Sequence, residues 1–415
     1  MVEEPNFTLT FLTEDAKRKQ IAEDYWAGRR KGYSWIWTET VSTIAARYGM
    51  PKHLLPAAVR EIAKAFDTRV KCSECSAAYE LTSRSALTTK HWGSFVCARC
   101  QEERVRAEQQ KRREEGAQLA AWQRATIAEL SSRAGARDYD SISYAEAVVL
   151  YAIALASDET YESGILGNAG QLHLCPSDGL TRQLLGHLFR KGLLQFSPDT
   201  PTSAVEPGEG GVFSYYPFEV RWRVSPAANG ATFPQVFERL GRIIDLRQKH
   251  AGYEHSVLDL WRDLAFDDAV TFLRLEIVQY RCFSEYRRGP KTDEAVQHAL
   301  KNFAIPQVRR IIKSVVKEAA AYSTHRGYDS RHAQNTIPGG IIRYVDRALS
   351  DHWKVYPLVY DWQKEEALLW TVLYDRVLAV GSHGFNTLSE NMLQALLSSQ
   401  AADQTSSSSG NNTIQ

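Results

Sequence analysis

The chain is expected to be mainly α and multidomain, with β-structure confined to small hairpins. Three observations lead there. Its 415 residues exceed what one hydrophobic core usually serves. Its second half repeats apolar residues at helical spacing, as in Val308, Ile311, Ile312, Val315 and Val316. Strand-like runs are short and sit near glycines, prolines or paired cysteines. No apolar run is long enough to span a bilayer, and Met1-Val-Glu-Glu-Pro5 has no signal-peptide core behind it. A cytoplasmic protein without membrane contact is the expectation.

A net charge of +1 hides an asymmetry. Residues 1–137 hold 23 Lys+Arg against 17 Asp+Glu, a balance of +6, and the remainder, 27 against 32, stands at −5. The basic end suits a polyanion.

Taken in order, Thr13–Ala27 reads as a helix with Ile21, Tyr25 and Trp26 on one face. Arg29, Arg30 and Lys31 then meet Trp35 and Trp37 in a basic, aromatic turn region. Thr38 is the expected cap of a helix over Glu39–Tyr48. Within 38–66, Ala45 is small where a second helix must approach, and Gly49, four residues on, can take the left-handed turn. Ile44, Leu55 and Val59 hold core spacing. This stretch resembles a helix-turn-helix, with Pro56 implying that the second helix starts late. The resemblance implies DNA contact from Lys52, His53 and Arg60, with Arg29, Arg30 and Lys31 on phosphates.

Cys72-Ser-Glu-Cys75 and Cys97-Ala-Arg-Cys100 follow, two C-x-x-C pairs separated by residues 76–96. Each short turn points two sulfurs at one centre, and this spacing is that of a tetrahedral Zn²⁺ site. One structural Zn²⁺ is expected, since four thiolates leave no open coordination position. Ala78–Leu81 and His91–Val96 read as strands between the pairs, and the second pair runs into a polar helix over Gln101–Leu119. A second knuckle opening a helix resembles a treble-clef finger more than a zinc ribbon. Residues 101–115 carry five basic and five acidic side chains, the pattern of a solvated helix laced by i,i+4 pairs. Ser131–Arg137 reads as a linker.

Ala145–Leu155 is almost wholly apolar, a buried helix. Ser177 is a plausible cap for a helix whose Leu180, Leu184, Leu185 and Leu188 share a face. Lys191-Gly192-Leu193-Leu194 stops it and begins a strand; a Pro/Gly-rich loop over Pro198–Gly211 leads to strands over Val212–Tyr216 and Val220–Val224. Over about 141–225 this order resembles a winged helix, which implies a wing of strands and a DNA-facing helix bearing Arg182, Gln183 and Arg190.

From Phe233 to about Ser398 the pattern is helical. Phe237, Leu240, Ile244 and Leu246 mark a first helix, Leu258–Tyr286 a longer one, and Pro306 opens a third. Arg309, Lys313 and Lys317 recur every fourth residue on its other side, as the wet face of an amphipathic helix. The serine-rich end is expected to be disordered. The domains expected are thus 1–68 (helix-turn-helix-like), 69–130 (four-cysteine finger and polar helix), 140–226 (winged-helix-like), 230–398 (helical) and a tail, 399–415.

The chain holds no phosphate-binding G-x-x-x-x-G-K-[ST], no G-x-S-x-G and no G-x-G-x-x-G after a strand, and is not expected to be an enzyme. Its leading reading is a zinc-containing DNA-binding protein, a transcription regulator or DNA-targeting component of a larger system. An accessory subunit docking a catalytic partner, or self-associating through the C-terminal domain, is the alternative. A nuclease using the polar cluster over 324–335, with His325 and His332, is the third.

Overall fold

In the computed structural model the described residues are 7–31, 34–88, 95–133, 135–155, 165–168, 173–209, 212–246, 252–280, 286–326, 330–358 and 367–408. They divide into two units, Met1–Leu119 and Ala120–Gln415. Mainly α architecture with small antiparallel sheets holds throughout.

Unit 1 begins with β1 (Phe7–Phe11), whose residues alternate between core and surface. In α1 (Ala16–Trp26) the cap is Asp15, whose carboxylate accepts from the backbone N–H of Lys17 at 2.9 Å and of Arg18 at 3.4 Å. The basic, aromatic stretch is a hairpin rather than a turn: β2 (Gly28–Lys31) pairs with β3 (Ser34–Trp37). Gly28 makes it possible, because a Cβ there would lie 2.2 Å from Trp35 Nε1. The hairpin also corrects the next helix start. Thr38 N–H donates to Ala27 O at 3.0 Å, which holds Thr38 in the hairpin's base. The cap of α2 (Val41–Arg47) is therefore Thr40, accepting from Thr43 N–H at 3.2 Å.

Gly49 has φ +64°, the left-handed turn that only glycine enters without cost. After it α3 (Leu55–Ile62) carries Pro56 in its first turn, where a missing N–H costs nothing. Ile44, Ala45, Leu55, Val59 and Ile62 are buried with Ala22, Tyr25 and Trp26 of α1.

The chain passes straight from α3 into β4 (Ala63–Lys71), which pairs antiparallel with β1 (Phe7 opposite Asp67, Phe11 opposite Ala63) and with β5 (Ala78–Leu81). The boundary expected at 68/69 falls inside this strand. Next come α4 (Arg84–Thr88) and α5 (Ala98–Ser132). The segment 89–94, expected as strand, lies outside the described residues; Phe95 bridges to Cys72. Arg84 is buried: its guanidinium donates to the carbonyls of Glu39 at 2.6 Å, Asp24 at 3.3 Å and Tyr25, and lies between the rings of Tyr25 and Trp37. Helix α5 carries the expected ladder, including Arg99–Glu103 at 3.0 Å and Arg112–Glu108 at 2.6 Å. It runs two residues into the expected linker.

Unit 2 packs α6 (Tyr144–Leu155) into its centre, with Ala147, Val148, Leu150 and Ala152 fully buried. After β6 (Ile165–Asn168), α7 (Asp178–Arg190) is capped by Ser177, which accepts from Leu180 N–H at 3.2 Å. Gly192, at φ +68°, turns the chain into β7 (Leu194–Phe196). The Pro/Gly-rich stretch contains a strand unforeseen in the sequence: β8 (Val205–Pro207) forms a hairpin with β9 (Phe213–Tyr215). Then β10 (Arg221–Val224) lies between β6 and β7, antiparallel to both.

The helical remainder comprises α8 (Phe233–Asp245), α9 (Tyr253–Gln279), α10 (Pro290–Asn302), α11 (Ile305–Arg326), α12 (Ser330–Ser350), α13 (Leu368–Thr371) with a wider turn over Val372–Val377, α14 (His383–Thr387) and α15 (Glu390–Ser408). Leu246, expected within the first of these helices, instead caps α8 and is exposed. One hydrophobic cluster runs from Ile127 to Leu397, so no packing gap separates 140–226 from 230–398. The tail expected to be disordered from 399 continues α15 to Ser408, and 409–415 lie outside the described residues. Each residue added to an existing helix needs only its own hydrogen bond, not a new nucleus. Among the described residues no helix is long and apolar enough to cross a membrane.

Arg309 corrects the expected wet stripe on α11. It turns inward, donating two hydrogen bonds at 2.8 and 2.6 Å to the carboxylate of Asp268, a buried residue of α9. Removing one partner strands the other's charge in the core. Arg309→Met is therefore expected to lower unfolding free energy by about 3–5 kcal/mol in urea, and the added change Asp268→Leu to recover most of it.

Candidate metal centre and basic surfaces

The last residues of β4 deliver Cys72. Around it the chain doubles back: Cys72 N–H donates to Ala77 O at 2.7 Å and Ser76 N–H to Cys72 O at 3.0 Å. Ser76 takes φ +59°, the left-handed bend that turns the first C-x-x-C loop. Ser73 N–H donates to Phe95 O at 2.8 Å, which brings in the second pair. Tyr79 and Phe95 stack edge to face above this junction, 4.9 Å between ring centres. Cys97 immediately precedes α5 and Cys100 lies in its first turn, at the positive end of the helix dipole. Glu74, inside the first loop, pairs with Arg104 of α5 and ties the loop to the helix.

The four sulfurs all lie within 4.8 Å of one another, and Cys75 Sγ stands 3.5 Å from Cys97 Sγ. A disulfide would need about 2 Å. Sulfurs bound at about 2.3 Å around a tetrahedral metal are about 3.8 Å apart. The group fits a metal ion. Backbone N–H groups of Cys75, Cys97 and Glu74 pull the Cys72 thiol down to about 6, whereas hydrogen bonds with the sulfurs of Cys75 and Cys97 push that of Cys100 up. Cys175 is a different case. It is buried beneath α7, its thiol pushed up to about 12 by burial, and it has no part in the cluster. Cys282 lies outside the described residues.

The residues expected at DNA fall into two groups, one in each unit. Lys52 and His53 are exposed in the turn between α2 and α3, and Arg60 is exposed one to two turns into α3, opposite the buried face of Leu55, Val59 and Ile62. None of the three has a carboxylate partner among the described residues. Arg29 is exposed on β2, cross-strand from Ile36; Arg30 and Lys31 follow on the same strand, beyond the side chains described.

In unit 2, Arg182, Gln183 and Arg190 lie on one stripe of α7 with Gly186, and they line a groove of about 520 Å³. The facing wall, Tyr215, Tyr216 and Phe218, comes from the hairpin after β8. The Arg182 guanidinium sits 5.7 Å from the Phe218 ring centre. The signal for this wall in the sequence, unused in the expectations above, is the aromatic run Phe213-Ser-Tyr-Tyr-Pro-Phe218. In the polar cluster at the junction of α11 and α12, residues 327–329 and the side chains of His325 and Arg326 lie outside what is described. His332 is exposed and faces the Tyr322 ring.

Comparison of the chain with protein families, with curated proteins and with solved structures finds no match.

One thiolate-bound divalent ion per chain is expected by native mass spectrometry. Cys100→Ser is expected to lose it and to make the first unit susceptible to protease, while Cys175→Ser keeps both.

Proposed function

We propose that the chain is a zinc-containing DNA-binding protein, a regulator or a DNA-targeting component of a larger assembly, whose first unit contacts duplex DNA. The observation that carries this reading is the set of Lys52, His53 and Arg60. They are exposed and unpaired among the described residues, on the turn and second helix of a packed three-helix unit. Other exposed cations of this unit are spent on neighbours, as where Arg47 pairs with Asp24 and Glu39, and Arg99 and Arg112 pair along α5. Cations held free of carboxylates are what a phosphate backbone recruits. A short helix after a left-handed turn, with its inner face buried and its outer face polar, has the form that enters a major groove.

Zinc follows from the donor set. Four thiolates in tetrahedral spacing select zinc or an iron–sulfur cluster among metals, and zinc needs no further sulfide. A closed site does no chemistry; it supplies folding energy, on the order of 10 kcal/mol in small modules. Elemental analysis with about one zinc per chain and no visible absorbance is the expected result.

DNA binding is checked by fluorescence anisotropy on a duplex across a salt series. A steep fall of affinity with salt is expected, and Lys52→Ala with Arg60→Ala should lower the slope of log K against log salt by about 2. Unchanged affinity and slope in that variant would overturn the reading.

A second reading, an accessory subunit that docks a partner or a second copy, is supported by Trp353, Tyr356 and Leu349, large apolar side chains left exposed around the end of α12. Light scattering distinguishes it: Trp353→Ser with Tyr356→Ser is expected to return an oligomer to monomer, and a wild type already monomeric at high concentration argues against self-association.

A further inference from the structure

We infer that the groove between α7 and the hairpin of β8 and β9 holds single-stranded nucleic acid, one unpaired nucleotide against the aromatic wall with its flanking phosphates on Arg182 and Arg190. The inference concerns unit 2 only and rests on residues other than those of the duplex reading above.

Shape comes first. A helix that reads a duplex must stand proud of its surroundings to enter the major groove. The polar stripe of α7 is instead walled by Tyr215, Tyr216 and Phe218, which leaves a concave space of about 520 Å³. That suits a base with its sugar. Gly186 forms the floor. It is buried, and a Cβ there would meet Arg190 Nη1 and the Tyr215 hydroxyl, each at 3.6 Å, so a long side chain at this position has to grow up between the guanidinium and the aromatic wall.

Charge comes second. Neither Arg182 nor Arg190 has a carboxylate partner among the described residues. Two turns of helix set their Cα atoms about 12 Å apart, and Arg190 Nη1 reaches back to within 3.6 Å of the Gly186 Cβ position, so the two guanidiniums flank the groove from either end. The pair therefore suits the phosphates on either side of a nucleotide held in the groove. Carboxylates do stand at the rim: Glu206 accepts from the Tyr216 hydroxyl at 2.7 Å, and Glu219 accepts from Ser203 at 2.9 Å. Both are engaged by hydroxyls on the hairpin side, and the α7 side keeps its cations free.

The chemistry of the wall is the third point. Tyr216 is 45% exposed despite its size, and the Phe218 ring already carries the Arg182 guanidinium on its face. Aromatic faces beside arginines are the platform on which bases of any sequence stack. The Gln183 amide, which both donates and accepts, is placed to meet a base edge. An acidic peptide would use the guanidiniums but leave the exposed ring and the amide without purpose.

The test uses the full chain with a short fluorescein-labelled oligothymidine, a duplex of the same length and a polyglutamate peptide, read by anisotropy. Arg182→Ala with Arg190→Ala is expected to weaken oligothymidine binding at least about tenfold and to leave duplex binding within about twofold. Gly186→Leu, which fills the groove and keeps every charge, should do the same. Lys52→Ala with Arg60→Ala should show the opposite pattern, so that failure here and failure of the duplex reading are separable. Thermal unfolding confirms that each variant is folded. The inference is overturned if the wild type does not bind oligothymidine, if Gly186→Leu binds it as wild type does, if the groove variants lose both nucleic acids equally, or if polyglutamate is held more tightly.

Discussion

The first unit depends on β4. This strand leaves α3 without a connecting residue, takes the central place in a three-stranded sheet and ends at Lys71, directly before Cys72. Its inward residues Ala63, Ala65 and Asp67 are buried, the first two in the core that holds the three helices. The helical hairpin and the cysteine cluster are therefore not two modules joined by a linker. They are opposite ends of one strand. From Ala65 to Asp67 the strand is paired on both edges and cannot shift register by one residue without turning its buried side chains outward; beyond Asp67 its register with β5 changes before Lys71 pairs with Ala78. The first sulfur follows directly on this strand, held by the hydrogen bond from Cys72 N–H to Ala77 O.

Arg84 secures the other side of the same unit. Its guanidinium satisfies three backbone carbonyls from α1 and from the approach to α2, while its faces are covered by Tyr25 and Trp37. Burial depresses its basicity, and the carbonyls and rings offset that cost. A lysine could not do this, because it has no planar faces to stack and too few donors in a fixed fork. The α1–α2 corner is held by a residue from beyond the sheet. The exposed cations of α3 and of the turn before it are presented on a scaffold that is closed from both sides.

Much of this was legible along the chain because it rests on local chemistry. The C-x-x-C spacing marked the four sulfurs; Gly49 and Pro56 marked the turn and the late start of α3; Ile44, Leu55 and Val59 marked the face that is buried. The same holds for the ion-pair ladder of α5 and the apolar face of α11. What escaped depended on partners remote in sequence. Nothing near Thr38 announces its hydrogen bond to Ala27, which delays α2. Val205–Pro207 is too short to read as a strand until Phe213–Tyr215 lies beside it. Arg309 repeats at helical spacing with two lysines, and only the buried Asp268, 41 residues away, turns it inward.

By itself, then, the sequence determined the kinds of element, the metal-ligand set and the cations available for a polyanion, because each follows from side-chain chemistry and spacing within a few turns of chain. Tertiary structure decided which of those cations stay free, where one packed unit ends and the next begins, and that α7 faces an aromatic wall across a groove. Those outcomes depend on which surfaces meet. Pairing across a sheet and burial of a charge are settled by distant residues, and no local pattern contains them.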